Sequence, residues 1–189
     1  DISYHLHDIV IQESYKVKIS QYDLSKLGCV IFIGNQVNEN KMHSCVKMSY
    51  NGGCRLMTYR SVLEAKQDCV DLTIIMEKKH KFHSTGFLGA KIVVHIYNEN
   101  DFDRKRFLKT MGDILKFNHP QMYTGCDVGT TIEDMIYLSQ HCSAVLSGLP
   151  QSIDTNLATS YGIFGSILAS MNFLDKTPME TVIVLVGCG

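Results

Sequence analysis

The stretch AKIVVHIY, residues 90–97, is a β-branched apolar run of strand length, and the segments on either side of it decide the fold. Before it, residues 61–82 (SVLEAKQDCVDLTIIMEKKHKF) place Val62, Ala65, Cys69, Leu72 and Ile75/Met76 at helical spacing. Ser61 and Glu64 open that helix as a capping box. After it, residues 101–118 (DFDRKRFLKTMGDILKFN) are amphipathic, with Phe107, Leu108, Met111, Ile114 and Leu115 on one side. A buried strand between two helices argues an α/β protein.

The same reading extends in both directions. GCVIFIG (28–34) and SCVKMSY (44–50) read as strands joined by the polar turn NQVNENK, so a hairpin is expected there. NGGCRLMTY (51–59) begins as a Gly-Gly turn. YTGCDVGTTIEDM (123–135) reads as a strand-to-helix turn, with Thr130 and Glu133 as the capping box of a helix running to about Gln140. SAVLSG (143–148) is a further short strand, and NLATSYGIFGSILASMNFL (156–174) is a long apolar helix rich in small residues. The tail METVIVLVGCG (179–189) reads as a strand running into glycines.

Composition narrows the function classes. The 189 residues are 45% hydrophobic and 20% charged, with a net charge of -1 and no basic block, which gives no electrostatic support for nucleic acid or a membrane surface as partner. The apolar runs are too short to span a bilayer, and the start DISYHLHD has no apolar signal segment, so the expected location is cytoplasmic. Seven cysteines at irregular spacing, without a CxxC pair, favour reduced thiols over disulfides. The close histidine pairs, His5/His7 and His80/His83, lack ligand-spaced cysteines or carboxylates, so no metal is expected.

One residue is left over. If Thr130 and Glu133 cap the helix, Asp127, set between Gly125 and Gly129, has no capping work. Four stretches, taken in order, bear on this. NGGCRLMTY resembles the Gly-Gly-x-Arg turn of the Glu/Leu/Phe/Val amino-acid dehydrogenases. MEKKHKFHSTGFLGAKIVV is similar to their segment with Met-x-x-Lys, a glycine-rich loop and a second lysine. CDVGTTIEDM resembles the Asp-Val-Gly-Thr stretch of the leucine/phenylalanine/valine branch. ATSYG, a long helix and then VGCG resemble the linker into the nucleotide-binding domain. The resemblance runs from about residue 25 to residue 189.

It implies an open, twisted, mixed sheet flanked by helices, ending in the first strand of a truncated Rossmann domain. Residues 1–150 would form a substrate-binding and dimerisation domain, 151–178 a linker helix, and 179–189 the start of the dinucleotide-binding domain. The implied activity is NAD- or NADP-dependent oxidative deamination of an L-amino acid, in a homo-oligomer that is at least a dimer. Lys91 matches the catalytic lysine, and Asp127 the acid that exchanges protons with the substrate nitrogen. Lys79, three residues after Met76 and twelve before Lys91, matches the lysine that holds the substrate carboxylate. Gly52 and Gly53 match the turn lining the substrate pocket. Thr159 would sit near the nicotinamide, and Gly187 and Gly189 would approach the pyrophosphate. Asn51 stands where glutamate-specific relatives carry a lysine, which points to a neutral substrate side chain.

The residue types suit that chemistry. Attack of water on an imine calls for a base, and a lysine near another cation can serve, with Lys79 expected to supply that charge. In the family the loop before the second lysine is a run of glycines, whereas STGFLGAK carries Leu88, and Cys126 replaces an acidic residue. The alternative is therefore a non-catalytic homologue kept as an oligomerisation or regulatory domain.

Overall fold

The computed structural model describes residues 4–37, 49–146 and 154–186. The chain forms two compact units, Asp1–Gln151 and Ser152–Gly189. The first is built on a seven-stranded mixed sheet flanked by helices. Its elements in chain order are β1 (Tyr4–Gln12), β2 (Tyr15–Leu24), β3 (Cys29–Gln36), β4 (Tyr50–Asn51), β5 (Cys54–Met57), α1 (Val62–Phe82), β6 (Leu88–Ile96), α2 (Arg104–Asn118), β7 (Met122–Tyr123) and α3 (Ile132–Ser139). The strand order is β1-β2-β3-β6-β4-β7, with β5 continuing the line of β4 along β6. β1, β2, β3 and β6 pair antiparallel, and β4, β5 and β7 join in parallel.

β6 is the central strand, and all nine of its residues are buried. A strand covered on both faces needs a continuous apolar run, which is what AKIVVHIY supplies. Alternation along the sheet divides the core. Val30, Phe32 and Val93 pack with Ala65, Cys69, Val70 and Ile74 of α1 on one face. Ile31, Ile33, Ile92 and Val94 pack with Phe107, Met111, Ile114 and Leu115 of α2, and with Met135 and Leu138 of α3, on the other. The five described cysteines are free thiols.

Two expectations are corrected. β3 has β2 on one edge and β6 on the other, so it has no free edge for a hairpin with 44–50. Residues 44–48 lie outside the described residues, and Tyr50 belongs to β4, parallel to β6 and β7. The capping box of α3 is Thr131 with Asp134, one residue beyond Thr130 and Glu133. The β1–β2 hairpin, joined at Glu13 with φ 54°, had no counterpart in the sequence reading.

The second unit holds α4 (Thr155–Phe173), capped by Asp154, whose carboxylate accepts from the amides of Asn156 and Leu157. The expected tail strand is absent from its described part. Residues 178–180 form a short 3-10 turn and 181–186 are irregular. A strand is stable only with a ladder partner, and no described strand of this unit offers one. No helix among the described residues is long and apolar enough to cross a membrane.

Candidate active site

The site forms where the β4–β5 line is interrupted. Asn51 pairs with Gly89 and Cys54 pairs with Ile92, so Gly52 and Gly53 lie opposite Ala90 and Lys91. The Ile92 amide donates to the Gly53 carbonyl at 3.2 Å. A side chain at residue 52 cannot be accommodated, because a Cβ there would sit 1.7 Å from the Ala90 carbonyl oxygen. At residue 53 a Cβ would sit 3.0 Å from the Asp127 Cβ. The two glycines thus let β6 and the Asp127 turn approach each other.

Asp127 follows the bridge between Cys54 and Cys126, in a turn closed by the Thr130 amide donating to the Asp127 carbonyl at 3.1 Å. Gly129 has φ +77°, the left-handed value that the third residue of a type II turn needs. The Thr130 hydroxyl accepts from the Asp127 amide at 2.9 Å and lies 2.8 Å from the Cys54 carbonyl, to which it can donate. Thr130 therefore ties the turn to β5 instead of capping α3.

Lys91, only 6% exposed, forms an ion pair with Asp127 Oδ2. The other oxygen, Oδ1, accepts from the Val128 amide at 2.7 Å and lies 3.7 Å from Arg55 Nη2. Burial alone would push the Asp127 carboxyl up. The Lys91 ammonium outweighs it, helped by the Val128 amide and Arg55, and holds the carboxyl below its ordinary value. Arg55 is itself fixed by Asp68 of α1 at 3.0 Å, and Asp68 accepts from the Tyr59 hydroxyl at 2.6 Å. A chain of side chains thus runs from α1 through Arg55 to Asp127 and on to β6.

The structure brings together Lys91, Asp127, Gly52 and Gly53, with Asn51 adjoining. Asn51 is half-buried, and its side-chain amide lies 3.5 Å from the Tyr123 carbonyl. Lys79 is not part of this group. It is exposed near the end of α1 and pairs with neither Lys91 nor Asp127, so the charge beside Lys91 is a carboxylate where a second cation was expected. Thr159 is exposed on α4, where it lines a hollow of about 540 Å³ within the second unit. Gly187 and Gly189 lie outside the described residues. Arg55, Asp68 and Tyr59 were assigned no role by the sequence reading. The Arg of the Gly-Gly-x-Arg turn was the one signal available for them.

No family model matches the chain. It is 32% identical over 144 residues to a phenylalanine dehydrogenase from Thermoactinomyces intermedius, covering 73% of this chain and 39% of that protein. It is 26% identical over 153 residues to a valine dehydrogenase from Streptomyces coelicolor, covering 78% and 42%. The chain is a homologue of the amino-acid dehydrogenases. It matches their N-terminal portion and spans about two fifths of the length of these curated relatives. Among solved structures, the hetero-hexameric glutamate dehydrogenase from Thermus thermophilus matches with a TM-score of 0.55 at 12% identity, over 93% of this chain and 42% of that one. At that identity the likeness concerns the fold of this dehydrogenase homologue alone.

Proposed function

We propose that this chain is the substrate-binding and catalytic part of an NAD(P)-dependent amino-acid dehydrogenase acting on an L-amino acid with a neutral side chain. One observation carries the reading: in a homologue of these enzymes, a buried lysine–aspartate pair faces a Gly-Gly turn at an interruption of the sheet. A bound nicotinamide dinucleotide would accept the hydride leaving the substrate Cα. Thr159, Gly187 and Gly189 are the positions proposed to meet it, and of these only Thr159 is among the described residues.

The remaining work is proton handling by this chain. Asp127, kept ionised by Lys91 and Arg55, faces the substrate nitrogen and passes protons to and from it. A substrate ammonium entering beside Asp127 competes with Lys91 for that carboxylate, so binding itself loosens the pair. Asp127 takes a proton from the substrate ammonium, and the freed Lys91 ammonium releases one to solvent. The resulting Lys91 amine then takes a proton from the water that attacks the imine carbon, while the nitrogen receives back the proton held by Asp127. Lys79, exposed near the end of α1, is proposed to meet the substrate carboxylate. Asn51 offers no charge to a second carboxylate, which favours a neutral side chain. The assembly proposed is at least a dimer. β1 is an edge strand, and its exposed Ile9 and Ile11 give one contact surface.

The test is steady-state turnover of the full-length protein with leucine, valine, phenylalanine and glutamate, read as nicotinamide reduction. Lys91→Ala and Asp127→Asn should each lower kcat by about 10²–10⁴-fold or more while circular dichroism stays unchanged. A well-folded Asp127→Asn protein that turns over at the parent rate overturns the reading.

A further inference from the structure

The last turns of α1 hold two buried polar side chains for which the proposed chemistry has no use. Glu77 is 3% exposed and His80 is 8% exposed. One Glu77 oxygen accepts from the Gly89 amide at 2.6 Å, and the other lies 3.2 Å from the Lys81 ammonium. His80 Nε2 lies 3.1 Å from the Asn51 carbonyl oxygen. That oxygen can only accept, so Nε2 carries a proton. His80 Nδ1 lies 2.8 Å from the Thr85 hydroxyl, which in turn accepts from the Phe87 amide at 3.3 Å.

Asn51 and Gly89 are register partners across β4 and β6. The same helix therefore reaches both members of one strand pair, and the next residues along the two strands are Gly52-Gly53 and Ala90-Lys91. The approach is close because residue 89 has no side chain: a Cβ there would lie 2.3 Å from the Glu77 amide nitrogen. The ladder between β3 and β6 ends at the pair Asn35 and Ala90, one residue short of Gly89, which leaves the Gly89 amide for Glu77 to satisfy.

We infer that Glu77 and His80 are positioning residues for the Lys91–Asp127 pair, locking the Asn51–Gly89 step to α1 and so setting where Lys91 meets Asp127 across Gly53. This deepens the function proposed above and rests on that reading for its consequence in catalysis. Neither residue touches the reacting groups. Each acts through one backbone position of the strand pair that precedes the glycine turn.

The experiment is a carboxyl-carbon NMR titration of Asp127 in the full chain, with kcat and KM measured on the same variants. Glu77→Leu and His80→Leu each remove one contact. Glu77→Gln keeps an acceptor for the Gly89 amide, and His80→Gln keeps a donor for the Asn51 carbonyl. The leucine variants should raise the Asp127 midpoint by about one unit, a tenfold change in proton affinity, while the glutamine variants stay near the parent. kcat should fall in the leucine variants and recover in the glutamine variants, with KM little changed. Should a leucine variant fail to fold, Glu77→Asp and His80→Asn shorten the same contacts and are read identically. A lowered melting temperature with an unmoved Asp127 midpoint overturns the inference. The titration reads the positioning whether or not the pair is catalytic, so its failure and a failure of the functional reading are separate results.

Discussion

Asp127 and Asp134 lie seven residues apart, each beside a cation and each bonded to a backbone amide, yet they serve different ends. In both, burial would raise the carboxyl and the partners outweigh it, with Lys91 acting on one and Arg104 on the other. Asp134 is held on both oxygens. Its Oδ2 accepts from the Thr131 amide at 2.7 Å, and Arg104 grips both oxygens before reaching the Gly129 carbonyl at 2.7 Å. That bidentate contact staples the starts of α2 and α3 to the Asp127 turn. Asp127 accepts from its neighbour Val128 on one oxygen, which also lies 3.7 Å from Arg55, and faces Lys91 with the other. A carboxylate held on both oxygens by three hydrogen bonds is part of the fold, whereas one whose Oδ2 faces a single exchangeable cation can receive another.

The largest effects should separate the two. In the full-length protein, Asp127→Asn should remove turnover by about 10²–10⁴-fold, and by leaving Lys91 buried without its partner it should also destabilise by about 3–5 kcal/mol. Asp134→Ala should leave kcat within a few-fold of the parent. It should destabilise by about 2–3 kcal/mol, because the capping contact and the charge-assisted pair are lost together. Kinetics and urea denaturation on the same preparations check both. Equal loss of turnover in the two variants would erase the distinction.

Acid should expose a second difference. Both carboxyls are held below their ordinary value, so each contributes stability that is present above about pH 4 and is lost as pH falls through its folded value. The stability contributed by these two carboxyls should therefore change little from pH 7 to about 5 and fall below about 4. Lys91→Met leaves Asp127 buried without its main partner. Its midpoint should rise, and loss of the buried pair should cost about 3–5 kcal/mol at neutral pH, an amount that shrinks as the carboxyl is protonated in acid. Denaturation curves across pH check the sign: a Lys91→Met penalty that grows on acidification contradicts the assignment.

Much of this was legible in the sequence. The helices α1 and α2 and the central strand β6 announce themselves by period and composition, because each buries a broad apolar face, whereas α4 is legible from its length and apolar composition although its described side chains other than Ile167 and Met171 are exposed. Lys91 and Asp127 were singled out by the resemblance to the amino-acid dehydrogenases, and the structure brings the two together. Their companions were not, for reasons of geometry. Glu77 and His80 sit in the charged run MEKKHKF, which reads as a solvated helix end until Gly89 lets α1 settle onto the strand pair. Arg55, Asp68 and Tyr59 meet only after β5 and α1 are placed. Two overlapping pairs, Thr130/Glu133 and Thr131/Asp134, fit the cap spacing equally well, and Arg104 belongs only to the second. The tail strand failed because an apolar β-branched run states a preference and cannot name its partner.

The smallest change sharpens the comparison most. Gly53→Ala adds one methyl group at ordinary strand geometry, without the 1.7 Å backbone collision that bars residue 52. The new Cβ would stand 3.0 Å from the Asp127 Cβ, 3.1 Å from the Cys126 carbonyl oxygen and 3.3 Å from Asp127 Oδ2. Of these, the Asp127 carboxylate can rotate, while the Cys126 backbone is held by its bridge to Cys54. Asp127 should therefore give way, and the oxygen that moves is the one facing Lys91. The expected result is a modest upward shift of the Asp127 midpoint, a drop in kcat of about tenfold, and an unchanged Asp134, whose partners lie on the far side of the turn. Carboxyl-carbon titration of both aspartates in one labelled sample reads this directly. If both midpoints move together, the two carboxylates are one structural unit and the separation argued from their partners fails.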